Sequence, residues 1–148
     1  MNKLSENLLV KVYETTDIGG TNIWGSDDTL GWVSLAEADI FMAIAEIGTW
    51  DATDTLDTCV LQQATDSSGT GVKVVTGKSI TPSATVADGQ TFIFDCKAAD
   101  LDTANSFTHV RLYIAESDDT GTDNVTCSYV RGNVFYKKED LNSATQSD

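Results

Sequence analysis

Between Thr55 and Tyr136 the chain is a succession of short β-branched and aromatic runs cut by turn residues, and this cadence restricts the fold more than any other feature. Leu56 to Gln63, Val72 to Val75, Gln90 to Cys96, Ser106 to Glu116 and Val125 to Tyr136 read as strands. TDSSGTG, Asp88-Gly89, AADLDTAN and SDDTGTD interrupt them. The chain has a single proline, Pro82, which excludes a central strand position, so Lys78 to Ala87 reads as irregular. Most breaks fall to Gly, Asp, Asn, Ser and Thr, which turn the backbone through left-handed conformations and side-chain-to-backbone bonds.

Two-residue periodicity assigns faces within these runs. Val110, Leu112 and Ile114 share one face, and Phe107, His109, Arg111 and Tyr113 share an amphipathic, partly covered one. Phe92, Phe94 and Cys96 lie together, as do Cys59 and Leu61 with Val60 opposite. AADLDTAN is a short connection with room for one helical turn around Leu101, and Gly132 marks a bulge or kink.

The first 50 residues are less regular. Leu8 to Tyr13 is a strand, with Leu8, Val10 and Val12 on one face and Leu9, Lys11 and Tyr13 on the other. Thr15 to Thr29 is a long Gly/Asp/Thr loop with Ile23 and Trp24 as anchors, and Leu30 to Leu35 is a short strand. Residues 36–47 carry signals of both kinds. Ser34 and Glu37 match a capping box, Gly48 a helix stop, and Ile40, Ile44 and Ile47 a helical spacing. The following turn at Asp51 to Thr55 and the strand at Leu56 instead make a hairpin plausible, and strand is the favoured reading.

The fold class expected is all-β: a β-sandwich or jelly-roll-like barrel of about eight short antiparallel strands at roughly ten-residue spacing. Residues 1–7 form an N-terminal arm, 8–136 one domain, and 137–148 a polar tail with little to bury.

The formal charge is −14, from 23 acids against 9 bases. Between Lys11 and Lys73 there is no Lys or Arg. Such a surface repels phosphate backbones and anionic lipid, which argues against nucleic-acid and membrane partners. Cys59, Cys96 and Cys127 each lie inside an apolar run without zinc-ligand spacing, and read as buried free thiols, with one disulfide left open. The N-terminal MNKLSENLLVKVYETT has no apolar stretch of signal-peptide length, so synthesis and retention in a reducing cytoplasm are expected.

No residue pattern points to catalysis. His109 is the sole histidine, and no nucleophile elbow accompanies it, so a structural or surface role is expected and a histidine metal site is excluded by number. Asp51, Asp54 and Asp57 fall in one loop and Asp118, Asp119 and Asp123 in another. Neither matches the calcium-loop pattern, and solvated turn residues are expected over a calcium site. Trp24, Trp32 and Trp50 read as core or interface anchors, with sugar stacking the alternative. Asn124-Val125-Thr126 is a sequon by pattern only, and Gly69-Thr70-Gly71 a turn rather than a phosphate loop. No cofactor, metal or catalytic residue is assigned.

Three stretches carry a resemblance: TLDTCVLQQATDSSGTGVKVVTGKSIT (Thr55 to Thr81), AADLDTANSFTHVRLYIAES (Ala98 to Ser117) and VTCSYVRGNVFYK (Val125 to Lys137). With them the chain resembles small tailed-phage virion proteins encoded beside the major capsid protein, of the head decoration (cement) kind. The resemblance covers a little over half of the chain and is less clear over the first 50 residues. It implies a non-enzymatic β-sandwich or jelly roll on the capsid exterior, with the major capsid protein as partner and self-association as a homotrimer. It places the protein in the virion, on the outer capsid surface, after synthesis in the host cytoplasm. An arm that adds a strand to a capsid edge would run from Asn2 to Val10, with Asn2, Lys3, Leu4, Leu8, Leu9 and Val10 as interface residues. A neck, tail or fibre component is the nearest alternative, a carbohydrate-binding module the alternative of another class, and a carboxylate-dependent hydrolase the least supported.

Overall fold

Except for β4 (Leu56–Ala64) and β5 (Lys73–Ile80), which pair as neighbours, successive strands of this chain alternate between two sheets rather than folding back on one another. The computed structural model describes residues 8–14, 22–24, 31–80, 86–116 and 123–134. The strands are β1 (Leu8–Glu14), β2 (Val33–Ser34), β3 (Ala38–Ile47), β4 (Leu56–Ala64), β5 (Lys73–Ile80), β6 (Thr91–Lys97), β7 (His109–Glu116) and β8 (Val125–Val134). One sheet has the order β1-β8-β3-β6 and the other β2-β7-β4-β5. Every pairing is antiparallel. This is the double-sheet strand order of a jelly roll, and the β-sandwich expectation holds.

Residues 38–47 are strand. Phe41, Ala43, Ala45 and Ile47 are buried at alternate positions, a two-residue period that outweighs the helical spacing of the isoleucines. The expected hairpin with the following strand does not form. β3 pairs with β6 and β8, whereas β4 pairs with β5 and β7. The reason lies in the connection: the Asp54 N–H donates to the Asp51 carbonyl (3.1 Å), and the Trp50 indole N–H donates to the Asp54 carbonyl (3.2 Å). This tight, anchored turn carries the chain across the core to the opposite sheet.

β5 is longer than its apolar run. It continues to Ile80, through residues expected to be irregular, because its backbone pairs with β4 at Val60–Ser79 and Cys59–Ile80 across a bulge. Only Val75 of this edge strand is buried, so alternation could not reveal its full extent. The connection after β6 forms two short 3-10 turns, Ala98–Asp100 and Thr103–Asn105, on either side of buried Leu101. In β8 the irregular residue is Asn133, at φ 52°, rather than Gly132, which keeps register with Ile40.

The inner faces meet in one core. Val110, Leu112 and Ile114 of β7 and Cys59 and Leu61 of β4 face Phe41 of β3, Phe92 and Phe94 of β6, and Cys127 and Tyr129 of β8. The Tyr129 ring packs edge-on to Tyr13 and Phe41, each at 5.0 Å between centroids, a preferred aromatic geometry. All three cysteines are free and buried, as expected. The second face of β7 is partly covered: the Arg111 guanidinium lies 4.5 Å over the Trp32 ring, and its Nε donates to Gln62 Oε1 at 2.9 Å.

Candidate functional site

Two features rise above ordinary surface and core: an exposed apolar sheet face and a buried group of acids.

The register of the first sheet places Val10, Val130, Met42 and Asp95 in one row, and Val12, Ser128, Ile44 and Ile93 in the next. These residues alternate with the core-facing ones, so they point outward. Val10 is 57% exposed, Val12 61%, Ile93 61% and Ile40 40%. Met42, Ile44 and Val130 are half-buried between them. An apolar band thus crosses the sheet from its β1 edge to its β6 edge. Beside it lies a groove of about 550 Å³, lined by Ile40, Met42, Val130 and Gly132 together with Lys78, Asp95, Lys97 and Asp100. Lys78 reaches Asp95 from β5 at 3.1 Å and ties the two sheets at this margin. A contiguous apolar band on a chain of charge −14 has the character of an interaction surface.

The second feature sits where the β3–β4 and β7–β8 connections meet. Asp54 lies just before β4, Asp123 just before β8, and Glu116 ends β7, where it pairs with Leu56. All three are buried, and one carboxylate oxygen of each lies within 4.8 Å of the others. The Asp51 N–H donates to Asp123 Oδ1 at 2.6 Å. Asp88 Oδ1 accepts from the Trp50 N–H at 2.8 Å; the Gly48 N–H donates to the Asn124 carbonyl at 2.7 Å, and the Asn124 N–H to the Thr49 carbonyl at 2.9 Å. Asp123 Oδ2 is buried without a hydrogen-bond partner, while Asp54 and Glu116 make further contacts of their own.

The expectation of solvated turn acids therefore fails for Asp54 and Asp123, because hydrogen bonds from Asp51 and Gly48 to Asp123 and Asn124 draw the two described segments together. It holds for Asp57, which is exposed; Asp118 and Asp119 lie outside the described residues. Glu116 escaped the sequence reading, although a signal was present. It continues the inward row Val110, Leu112, Ile114 by parity, which places a carboxylate on a core-facing position.

Of the expected interface residues, Leu8, Leu9 and Val10 belong to β1, paired with Gly132, Arg131 and Val130. These three are thus built into the sandwich rather than free to act as an arm. Asn2, Lys3 and Leu4 lie outside the described residues, as do the arm and the tail from 137 to 148.

His109 is half-buried, with Nδ1 3.0 Å from Thr108 Oγ1. Desolvation holds its pKa below the usual value against the opposing pull of Asp66. The Thr108 hydroxyl donates to the Thr65 carbonyl at 3.3 Å, a structural use of its proton. Trp24, Trp32 and Trp50 are all buried, so none offers an open face for a sugar ring. The Asn124 side chain donates to Thr49 Oγ1 at 2.8 Å. Burial pushes the thiols of Cys59, Cys96 and Cys127 up to about 12, far from nucleophilic use.

No family model matches this chain. No curated protein matches it in sequence. Among solved structures it is similar to a chain in the structure of the infectious bursal disease virus Gx strain, at 10% identity and a TM-score of 0.43. The similarity covers 86% of this chain and 32% of that one, so this chain spans about a third of its length.

Proposed function

We propose that this protein is a non-enzymatic virion structural component, a decoration protein that binds the outside of a phage capsid lattice through the outer face of the β1-β8-β3-β6 sheet and stabilises the head. The observation that carries this reading is the apolar band of Val10, Val12, Ile40 and Ile93, exposed on a rigid sheet rather than on a loop. The major capsid protein is its partner on this reading, and a homotrimer the form in which many weak contacts add up. The resemblance of Thr55 to Thr81, Ala98 to Ser117 and Val125 to Lys137 to decoration proteins supports it, as does a strand order widely used in capsid proteins. Neither the buried tryptophans nor the buried high-pKa thiols offer a competing chemistry.

The test is to mix purified protein with heads that lack it, pellet the heads and image them by cryo-EM. Extra density at regular lattice positions, with the β1-β8-β3-β6 face against the shell, is the expected result. Density at the neck or tail of whole virions would move the protein to a connector or tail role, and absence from virions would overturn the reading.

A further inference from the structure

We infer that Asp54, Glu116 and Asp123 form a calcium site that pins the β3–β4 and β7–β8 connections together at one end of the sandwich. The inference is independent of where the protein docks.

Proximity of acids alone would not carry this. The deciding observation is Asp123. Its residue is 1% exposed, and the Asp51 amide holds Oδ1, which leaves the buried Oδ2 without a hydrogen-bond partner beside two other carboxylates. A buried carboxylate oxygen without a partner carries a desolvation cost that a bound cation removes. The ligand chemistry is all oxygen and strongly anionic, which selects hard divalent cations over the transition metals that prefer nitrogen and sulfur. Oxygens bound to one calcium ion lie at most about 4.8–5 Å apart, and the three oxygens here lie within 4.8 Å of one another, as a shared ion requires. Water and backbone carbonyls commonly complete the shell of six to eight oxygens.

The geometry also gives the ion a task. Asp54 and Asp123 sit on connections that each cross from one sheet to the other, and Glu116 is fixed by its strand. One ion held by all three ties two crossings to a strand end. Protons shared among the carboxyls are the alternative way to relieve the charge, and they predict no uptake of metal at neutral pH.

Trp50 makes the experiment direct, because its indole N–H is bonded to the Asp54 carbonyl at 3.2 Å. Tryptophan excited beside a bound terbium ion sensitises its emission. The wild-type chain, stripped with chelator and held at neutral pH in about 0.15 M salt to screen loose counterions, is titrated with terbium. It is then challenged with calcium or magnesium, and calcium uptake is counted by equilibrium dialysis. Expected are sensitised emission displaced by calcium at lower concentration than by magnesium, one calcium per chain, and a melting temperature raised by at least about 5 °C at saturation. Asp123→Asn should reduce terbium affinity at least tenfold, while Asp57→Asn, on an exposed residue, should leave it unchanged. If Asp123→Asn does not fold, the wild-type count decides. One tightly held calcium with sensitised emission supports the site, and no uptake at millimolar calcium overturns it. Equal binding by wild type and a folded Asp123→Asn variant overturns it as well.

Discussion

The backbone N–H of Leu112 donates to the hydroxyl of Tyr129 at 2.8 Å, a bond from the backbone of one sheet to a side chain of the other. It exists because β2 is only two residues long and pairs with β7 at Val110 and His109 alone. Beyond that point the open side of β7 is satisfied piecemeal. Ile23 N–H donates to the Ile114 carbonyl at 3.0 Å, and the Trp24 indole to the Leu112 carbonyl at 2.7 Å. Buried backbone groups are almost always paired, and here three aromatic or aliphatic anchors stand in for a missing strand.

Tyr129→Phe removes this bond together with the hydroxyl's contact with the Cys127 thiol. The ring and its aromatic contacts remain, while a buried N–H loses its acceptor, a cost of about 1–3 kcal/mol. Urea denaturation should show the midpoint fall with an unchanged slope. A loss under about 0.5 kcal/mol would mean that the amide finds another partner.

Gly31→Ala should be more damaging. Gly31 has φ 78°, and an added Cβ would lie 2.3 Å from Trp24 Cζ2. Left-handed strain and overpacking act together, so a loss of at least about 2 kcal/mol is expected. Thermal melting checks this. Gly31→Ala should cost less in a Trp24→Phe background than in the wild type, because the obstructing ring is gone there.

Val12→Glu and Ile93→Glu address the proposed docking face. Both positions are largely exposed, so stability in the isolated protein should change by less than about 0.5 kcal/mol. Binding to heads should fall at least tenfold, measured by pelleting. Removal of residues 2–7 asks whether an arm contributes as well. Abolished binding with an intact fold would assign it a role, and unchanged binding would leave docking to the sheet.

The thiols predict a basic limit to stability. In the fold Cys59, Cys96 and Cys127 are raised from 9.0 to about 12 because burial opposes the thiolate. The folded state therefore holds these protons more tightly than the unfolded chain. Their contribution is complete below pH 9.0 and is lost as pH rises towards about 12. Denaturation midpoints across that window should fall, and less steeply for Cys127→Ala relative to its own value at neutral pH. Thiol reagents at pH 8 should label the native protein only at its rate of opening, and all three sites in urea.

His109 sets an acidic counterpart. Burial lowers its pKa from 6.5, so the fold favours the neutral ring and the unfolded chain takes the proton first. Stability should decline as pH falls through 6.5 and below, and His109→Gln should flatten that part of the profile.

The strands were legible because alternation is a local signal. Phe92, Phe94 and Cys96, or Val110, Leu112 and Ile114, declare a buried face without reference to any neighbour. Pairing was not legible in the same way. Asp51 to Thr55 resembles a hairpin turn, and only the anchoring of Trp50 on Asp54, and of Asp51 on Asp123, shows that the chain crosses instead. The same gap hid the acidic group, whose members lie on three segments that meet only through the topology. Val10 was singled out as a contact residue on other grounds. The wider band around it required the register of four strands, since Val12, Ile44 and Ile93 are distant in sequence and adjacent across the sheet.

The position of β8 between β1 and β3 imposes an order in time. As the chain emerges during synthesis, β1 and β3 wait without their shared neighbour until residues near 134 have been made. A growing or truncated chain therefore presents no continuous outer face on that sheet. Any partner that recognises the whole face binds only after β8 has been made and has paired with both strands.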